Sequence, residues 1–228
     1  MSKSFDIVFA LWPRCAQLDF LGAFEVFAHL PGANLRLASQ DGGDLTAGLG
    51  LKLRDVEKLR DIERCDLLFV PGTADMAAAT TPEMLEQIRR LAENARYVTS
   101  ICTGSLILGQ AGLLNGRRCA THWAFLQQLA RYGAIPDPAR TVRDGKYMTG
   151  GGVSASIDFA LMVAAEIVDE TYAQMLQLYI EYTPSPPFNS GHPSTASPEV
   201  ISALRDKYGE KLARIGGVVP VPVTPEHR

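Results

Sequence analysis

The sequence lacks several patterns that would assign a function at once. Its four cysteines are widely spaced and form no C-x-x-C pair, and its four histidines are equally scattered. Zinc-site spacing is therefore absent, and a disulfide framework is not expected. Neither G-x-x-x-x-G-K-[ST] nor G-x-G-x-x-G occurs, so the triplet Gly150-Gly151-Gly152 does not predict nucleotide binding. We therefore expect an activity that uses no metal and no cofactor.

The charge balance and the hydropathy pattern make two further kinds of partner unexpected. The 22 Lys and Arg residues against 25 Asp and Glu residues give a net charge of −3, so we expect no nucleic acid and no membrane surface as partner. No apolar run approaches the ~20 residues of a membrane span. The segment Phe5 to Leu11 is typical of a strand and not of a signal peptide, so we expect a cytoplasmic location.

Short apolar runs that fit strands alternate along the chain with stretches of helical periodicity. This alternation predicts an α/β fold with a mostly parallel sheet, helices on both faces and a short β-hairpin region. In such sheets a functional site lies beyond the C-terminal ends of the strands. We predict strands at 5–11, 35–38, 66–70, 97–101 and 118–121, hairpins at 45–56 and 141–149, and helices at 20–30, 81–94, 105–114, 123–132, 156–168 and 170–182.

The composition changes near the C-terminus. With 228 residues the chain is long enough for about one α/β domain and a tail. We place the domain at residues 1–190 and the tail at residues 191–228, where Pro, Ser and Thr become frequent. Such a composition also fits a disordered linker. Phe188 and a helical segment at 198–215 favour a tail that packs on the domain or on a partner subunit.

The most informative feature is a cysteine between a strand and a helix. The apolar run from Tyr97 to Ile101 ends at Cys102, and a helix-compatible run follows at once. The residues two before and two after Cys102, Ser100 and Gly104, are both small, as the sharp turn of a nucleophile elbow requires. The unpaired N–H groups of a helix N-terminus favour a thiolate, so we expect Cys102 to be a reactive nucleophile. The alternative is a buried cysteine that packs as a small hydrophobic residue.

Several motifs together resemble the ThiJ/PfpI superfamily, whose fold is the class I glutamine-amidotransferase-like, flavodoxin-like three-layer sandwich. Within it the chain is similar to the isonitrile hydratases, through Gln17-Leu18-Asp19 and through a threonine directly after the nucleophile. The matching motifs are Ser100-Ile101-Cys102-Thr103-Gly104-Ser105, the segment 111–118, Thr121-His122-Trp123, Thr149-Gly150-Gly151-Gly152 and Ile157-Asp158.

The resemblance implies an enzyme that adds water to a small isonitrile and forms an N-substituted formamide. Cys102 would attack the terminal carbon as a thiolate and form a thioimidate. Asp19 matches the acidic residue of the family and would act first as an acid and then as the base that activates water. The resemblance also implies a homodimer.

The resemblance implies further residues that shape the site. Thr103 matches the residue whose hydroxyl and N–H lie beside the nucleophile. The loop at Gly72 would turn backbone N–H groups towards the reacting atoms. Thr73 stands where relatives often have glycine, and its larger side chain would narrow the site on the side of this loop. Gly151 and Val153 match positions where a helix near the nucleophile can shift during turnover.

Other interpretations of these residues stay open. Asp19 is also suited to cap the helix that follows it. His122 is a candidate second proton carrier, although a lone histidine at a strand end is more often structural. In some branches of the superfamily a nearby glutamate acts as the acid. Glu25 of this chain lies five to six residues beyond the matching position, which favours a solvated or dimer-interface charge. A ligand-sensing module or a thiol-redox stress protein of the same superfamily are the alternative functions.

Overall fold

The buried strands of this chain form an eight-stranded sheet in the computed structural model, which describes residues 4–220. Strand β1 is almost fully buried, as expected for a strand covered on both faces. The strand order is β3-β4-β2-β1-β5-β6-β10-β9, in which the β3–β4 and β9–β10 pairs are antiparallel and the others are parallel. Its strands are β1 (Phe5–Leu11), β2 (Ala33–Ser39), β3 (Gly43–Thr46), β4 (Lys52–Lys58), β5 (Leu67–Val70), β6 (Tyr97–Ile101), β9 (Thr141–Asp144) and β10 (Tyr147–Gly150), while β7 (Arg118–Cys119) and β8 (Ile135–Pro136) form a separate parallel pair.

The helices follow the predicted alternation with the strands. Thr81 caps one of them by accepting a hydrogen bond from the N–H of Met84 at 3.1 Å, with Pro82 in the first turn. The helices are α1 (Gln17–Phe27), α2 (Met76–Ala79), α3 (Pro82–Asn94), α4 (Gly104–Gln110), α5 (Ala155–Ile167), α6 (Glu170–Tyr179) and α7 (Pro198–Ala213), with 3-10 turns at Gly48–Gly50, Leu59–Asp61 and Trp123–Tyr132.

The helices form two packed groups beside the sheet. Helix α1 packs against α5, which also contacts α6, whereas α4 contacts α3 and the 3-10 turn at Trp123–Tyr132. This arrangement confirms the predicted mostly parallel α/β fold with helices and a short β-hairpin region. The functional consequence is that β1, β5 and β6 lie side by side, so the loops that leave their C-terminal ends meet at one edge.

Two details of the prediction for the first helix are wrong. The helix begins at Gln17 and ends at Phe27, three residues earlier at each end than predicted. With this start the helix buries Phe20 and Ala23, while Leu21 is 41% exposed. The predicted helix at 123–132 forms, but as a 3-10 helix that ends at Gly133 in the left-handed conformation.

The C-terminal region leaves the domain and returns to it. Helix α7 has no fully buried residue, yet the chain after it is fixed to the 3-10 turn at Trp123–Tyr132. The Gln128 side chain donates to the carbonyl of Gly216 at 2.7 Å, and the N–H of Val218 donates to the carbonyl of Ala124 at 2.8 Å. The last eight residues of the predicted tail, 221–228, lie outside the described residues.

Candidate active site

Cys102 occupies a sharp turn between β6 and α4. It has a φ of 56°, a left-handed conformation that non-glycine residues seldom adopt. Its N–H is held by the carbonyls of Gly150 at 3.2 Å and Gly151 at 2.9 Å. Strain of this kind is typical of functional sites and of nucleophile elbows in particular. The backbone is therefore that of the predicted elbow.

The small neighbours of Cys102 are required by close contacts. A Cβ atom on Gly104 would lie 2.2 Å from the carbonyl oxygen of Val70, so only glycine fits there. On the other side, the hydroxyl of Ser100 lies 2.9 Å from that of Ser105, which in turn donates to the carbonyl of Ala120. The turn is thus fastened to β5 and to the segment after β7.

Asp19 projects from the first turn of α1 and is fully buried. Its Oδ2 atom accepts a hydrogen bond from the N–H of Gly72 at 2.7 Å. The alternative that Asp19 caps the helix is wrong, because the N-cap position belongs to Ala16 and no side chain caps this helix. The Oδ1 atom is buried and has no hydrogen-bond partner among the described residues.

Gly72 lies between the two candidate catalytic residues. A Cβ atom added to it would lie 2.6 Å from Oδ2 of Asp19 and 2.8 Å from Cβ of Cys102. The loops after β1, β5 and β6 therefore meet here, as the parallel sheet predicts. The Gly72 N–H is bonded to the Asp19 carboxyl group and positions it.

Burial dominates the electrostatics of the pair. It raises the pKa of Asp19 to about 7, against the opposing effects of the Gly72 N–H and the Cys102 side chain. Burial also raises the pKa of the Cys102 thiol, and the charge of Asp19 raises it further. Hydrogen bonds from the backbone of Val153 and of Thr103 oppose this rise without cancelling it.

Burial therefore opposes the thiolate that the helix N-terminus favours. Desolvation disfavours every charged form, and α4 has only seven residues. Asp19 has a pKa of about 7 and the thiol a higher one, so Asp19 loses its proton first, and the pair then holds one proton and one negative charge. Such a pair can deliver a proton to a bound molecule and take one back, which is the requirement for acid–base chemistry.

Thr103 joins the elbow to the loop after β5. Its hydroxyl donates to the carbonyl of Thr73 at 2.8 Å and accepts from the N–H of Thr73 at 2.7 Å. The hydroxyl of Thr73 turns away and accepts from the N–H of Asp75 at 2.8 Å. The two threonines thus form a buried clamp that fixes the loop carrying Gly72 against Cys102.

The glycine-rich segment after β10 forms another side of the elbow. Gly151 accepts from the Cys102 N–H, and an added Cβ atom there would have its nearest neighbour at 3.4 Å. Val153 follows with 38% exposure and lines the cleft beside the site. A Cβ atom on Gly152 would lie 2.4 Å from the ring of His122.

His122 lies against this segment as a neutral, half-buried ring. Burial lowers its pKa to about 4, so the ring carries no charge at neutral pH. Its Nδ1 atom accepts from the N–H of Ala124 at 3.2 Å, which leaves the ring proton on Nε2. The arrangement favours packing and helix capping over proton transfer.

A cleft of about 1260 Å³ lies next to the segments that carry the candidate residues, although neither Cys102 nor Asp19 lines it. One wall is the first turn of α1 with Val153, and the opposite wall is α7 together with Ile215. The rim is completed by the 3-10 turn at Gly48–Gly50, in which Leu49 is 98% exposed. Sequence reasoning did not find this role of α7, nor the place of Gln17 in the cleft, because neither carries a local motif.

Residues 4–220, which the structure describes, contain no group of three or more His, Cys, Asp or Glu side chains that could hold a metal ion. None of their helices is long and apolar enough to cross a membrane.

A cysteine at a strand–helix elbow, paired with a buried carboxyl group at the edge of a mostly parallel sheet, defines a nucleophile-elbow α/β protein. The family model described as the DJ-1/PfpI family matches residues 6–166. The chain belongs to this family.

Two named proteins are similar to the chain over most of its length. The chain is 45% identical to the isonitrile hydratase of Pseudomonas putida over 208 residues, 91% of each chain. It is 31% identical to the HTH-type transcriptional regulator CdhR of Pseudomonas aeruginosa over 71% of this chain and 50% of the regulator.

Among solved structures, a ThiJ/PfpI family protein from Pseudomonas syringae superposes with a TM-score of 0.87 at 37% identity, covering 91% of this chain and 87% of that one. Drosophila melanogaster DJ-1beta superposes with a TM-score of 0.70 at 18% identity, covering 78% and 98%, which shows a shared fold.

Proposed function

We propose that the protein is an enzyme that hydrates isonitriles to N-substituted formamides, with Cys102 as nucleophile and Asp19 as acid and base. The observation that carries the proposal is the buried pair itself, with Gly72 in contact with both residues. The hydratase relative, 45% identical over nearly the whole chain, supports the substrate class.

In the first half of the reaction the terminal carbon of R–N≡C gains two bonds. The sulfur of Cys102 attacks this carbon, and the proton shared by the pair passes from Asp19 to the same carbon. The product is the thioimidate R–N=CH–S–Cys102, and Asp19 is left ionised. A pKa of about 7 suits Asp19 to this step, because it is a good proton donor near neutral pH.

In the second half Asp19 works as a base. Its carboxylate takes a proton from water while the water oxygen bonds to the thioimidate carbon, and the proton then passes to the nitrogen. The tetrahedral species R–NH–CH(OH)–S–Cys102 loses its hydroxyl proton to Asp19 as the carbon–sulfur bond breaks. The formamide leaves, and the pair again holds one proton.

The remaining site residues act on the pair. Gly72 holds Oδ2 of Asp19, while Oδ1 has no hydrogen-bond partner among the described residues. Thr103 fixes the position of the loop that carries Gly72 through its hydrogen bonds to Thr73. Gly151 and Val153 contact the nucleophile through their backbone, and we propose that this segment shifts when Cys102 is modified. His122 packs behind it without a chemical role.

The decisive test is formamide production from an alkyl and an aryl isonitrile. Wild-type protein should turn over, and Cys102→Ala should lose all activity above background. Equal rates for the two proteins, or turnover by neither, would contradict the proposal. A thermal shift by isonitriles without turnover would favour a ligand-sensing module instead, in keeping with the regulator relatives.

We also propose that the protein is a cytoplasmic homodimer and that residues 1–190 form the catalytic domain. Four free cysteines fit a reducing compartment. Met175, Leu178 and Tyr179 share one face of α6 and are 46%, 82% and 69% exposed, which suits contact with a second copy. Leu178→Lys should then convert a dimer to a monomer in light scattering, while Ile135→Lys, at an exposed apolar residue on β8, should not.

A further inference from the structure

The backbone that holds Cys102 is held in turn by residues further from the sulfur. The N–H of Cys102 donates to the carbonyl of Gly151 at 2.9 Å, and the backbone of Val153 gives a hydrogen bond to the Cys102 side chain. Gly151 donates its own N–H to the carbonyl of Arg140 at 2.8 Å. The environment of the sulfur therefore depends on how firmly residues 150–154 are fixed.

A carboxyl group on α5 ties together the elements on both sides of this segment. Asp158 lies in the first turn of the helix that begins at Ala155, and its Oδ2 atom accepts a hydrogen bond from Nε of Arg140. Arg140 directly precedes β9, the antiparallel partner of β10. The Arg140–Asp158 ion pair thus joins the strand pair before residues 150–154 to the helix after them.

The other oxygen of Asp158 has a partner from the chain beyond α6. Its Oδ1 atom accepts from the hydroxyl of Tyr182 at 2.7 Å. Burial and this contact raise the pKa of Tyr182 to about 12, so the phenol keeps its proton at neutral pH and donates it in the hydrogen bond. Both oxygens of Asp158 are therefore held by donors, which fixes the orientation of its carboxyl group.

A strained turn fixes Tyr182 in this place. Helix α6 ends at Tyr179, and Glu181 has a φ of 50°, a left-handed conformation that favours glycine. The N–H of Tyr182 donates to the carbonyl of Gln177 at 2.9 Å, and the Gln177 side chain donates to the carbonyl of Tyr182 at 3.1 Å. A non-glycine residue kept in such a conformation indicates that the position of the next side chain matters.

We propose that Tyr182 is a positioning residue of the active site. Through Asp158 it holds residues 150–154 in the place where they contact Cys102. Without the hydroxyl, the Val153 N–H should be aimed less well at the sulfur, which would destabilise the thiolate. The effect of Tyr182 on turnover rests on the proposed hydration, whereas its effect on the thiol does not.

The test is Tyr182→Phe, which removes only the hydroxyl. Modification of Cys102 by iodoacetamide at pH 8, followed by mass spectrometry of its peptide, should slow about threefold to tenfold, since the rate falls about tenfold for each unit by which the pKa rises. The kcat for an alkyl isonitrile should fall by a similar factor, while KM should change less than about twofold. Tyr97→Phe, at the opposite end of β6 from Cys102, should leave both rates unchanged.

A second background separates action through Asp158 from a general loosening of the fold. In Asp158→Ala the hydroxyl has no carboxyl group to bind, so the addition of Tyr182→Phe should slow neither rate further. Urea unfolding of each variant measures the stability of the fold independently of both rates.

The outcomes are distinguishable. Wild-type rates of alkylation and turnover in Tyr182→Phe overturn the positioning role, also where the variant unfolds at a lower urea concentration, because a purely structural residue would behave in that way. Equal slowing by Tyr182→Phe in both backgrounds overturns the action through Asp158. Absence of turnover by the wild-type protein overturns the hydration, and the alkylation rates then still decide whether Tyr182 positions the site.

Discussion

The backbone N–H of Gly72 lies 2.7 Å from Oδ2 of Asp19, and this one bond joins the loop after β5 to the first turn of α1. This hydrogen bond stabilises the ionised form of the carboxyl group, which burial disfavours. The position tolerates only glycine, since an added Cβ atom would lie 2.8 Å from Cys102 Cβ.

Gly72→Ala should therefore separate the catalytic pair. The methyl group must push Asp19 or Cys102 aside, so we expect kcat to fall at least about a hundredfold, with a loss of about 1–3 kcal/mol in the free energy of unfolding. Formamide production and urea unfolding measure the two effects. Gly191→Ala is the matched control, because nothing lies within 4 Å of its added Cβ atom. Full activity of Gly72→Ala would contradict the close contact of Gly72 with Asp19 and Cys102.

Asp19→Asn should make Cys102 more reactive towards alkylation while abolishing hydration. The charge of Asp19 raises the pKa of the thiol, so its removal should lower that pKa. The rate of modification by iodoacetamide at pH 8 should rise, about tenfold for each unit by which the pKa falls. Glu25→Gln, at an exposed residue of the same helix, should change neither rate. Slower alkylation of Asp19→Asn would contradict the assigned coupling.

The raised pKa of Asp19 also predicts how stability depends on pH. In the unfolded chain Asp19 ionises near pH 3.8, whereas in the folded protein it does so near pH 7. Between these values the folded state binds more protons, so this group's stabilising contribution falls as pH rises from about 4 to 7. Asp19→Asn should remove that component. Between pH 4.5 and pH 7.5, urea unfolding should show a smaller loss in the free energy of unfolding for Asp19→Asn than for the wild type. An equal loss in the two proteins would contradict the raised pKa of Asp19.

Thr103→Val should weaken both the fold and the catalysis. It removes the hydroxyl that serves both backbone groups of Thr73 and leaves them buried without partners. We expect a loss of about 1–3 kcal/mol in urea unfolding and a reduced kcat, because the Gly72 loop loses its clamp. Thr103→Ser keeps the hydroxyl and should stay near wild type in both measurements. Comparable damage from the two substitutions would mean that packing of the methyl group matters more.

The elbow was predictable because its causes are local. A strand pattern that stops at Cys102, with Ser100 and Gly104 beside it, permits few other backbones, and the structure has the left-handed φ that such a turn needs. The alternation of strands and helices likewise predicted which loops share an edge. The partnership with Asp19 came from resemblance, since no local pattern links positions so far apart in the chain.

The features that the sequence did not predict correctly depend on tertiary structure. The ionisation of Cys102 depends on burial, which the helix N-terminus could not indicate. Whether Asp19 caps α1 depends on where the helix begins, and Gln17 rather than Phe20 begins it. The role of α7 was not predictable because the side chains that line the cleft are exposed and charged, as on any surface helix.

The cleft has one wall from the catalytic fold and another from α7, nearly 100 residues further along the chain than Cys102. The candidate catalytic residues and this wall of the cleft are therefore contributed by separate stretches of sequence. On the proposed function, exchange of residues 198–215 between homologues should change KM for isonitriles of different size more than it changes kcat.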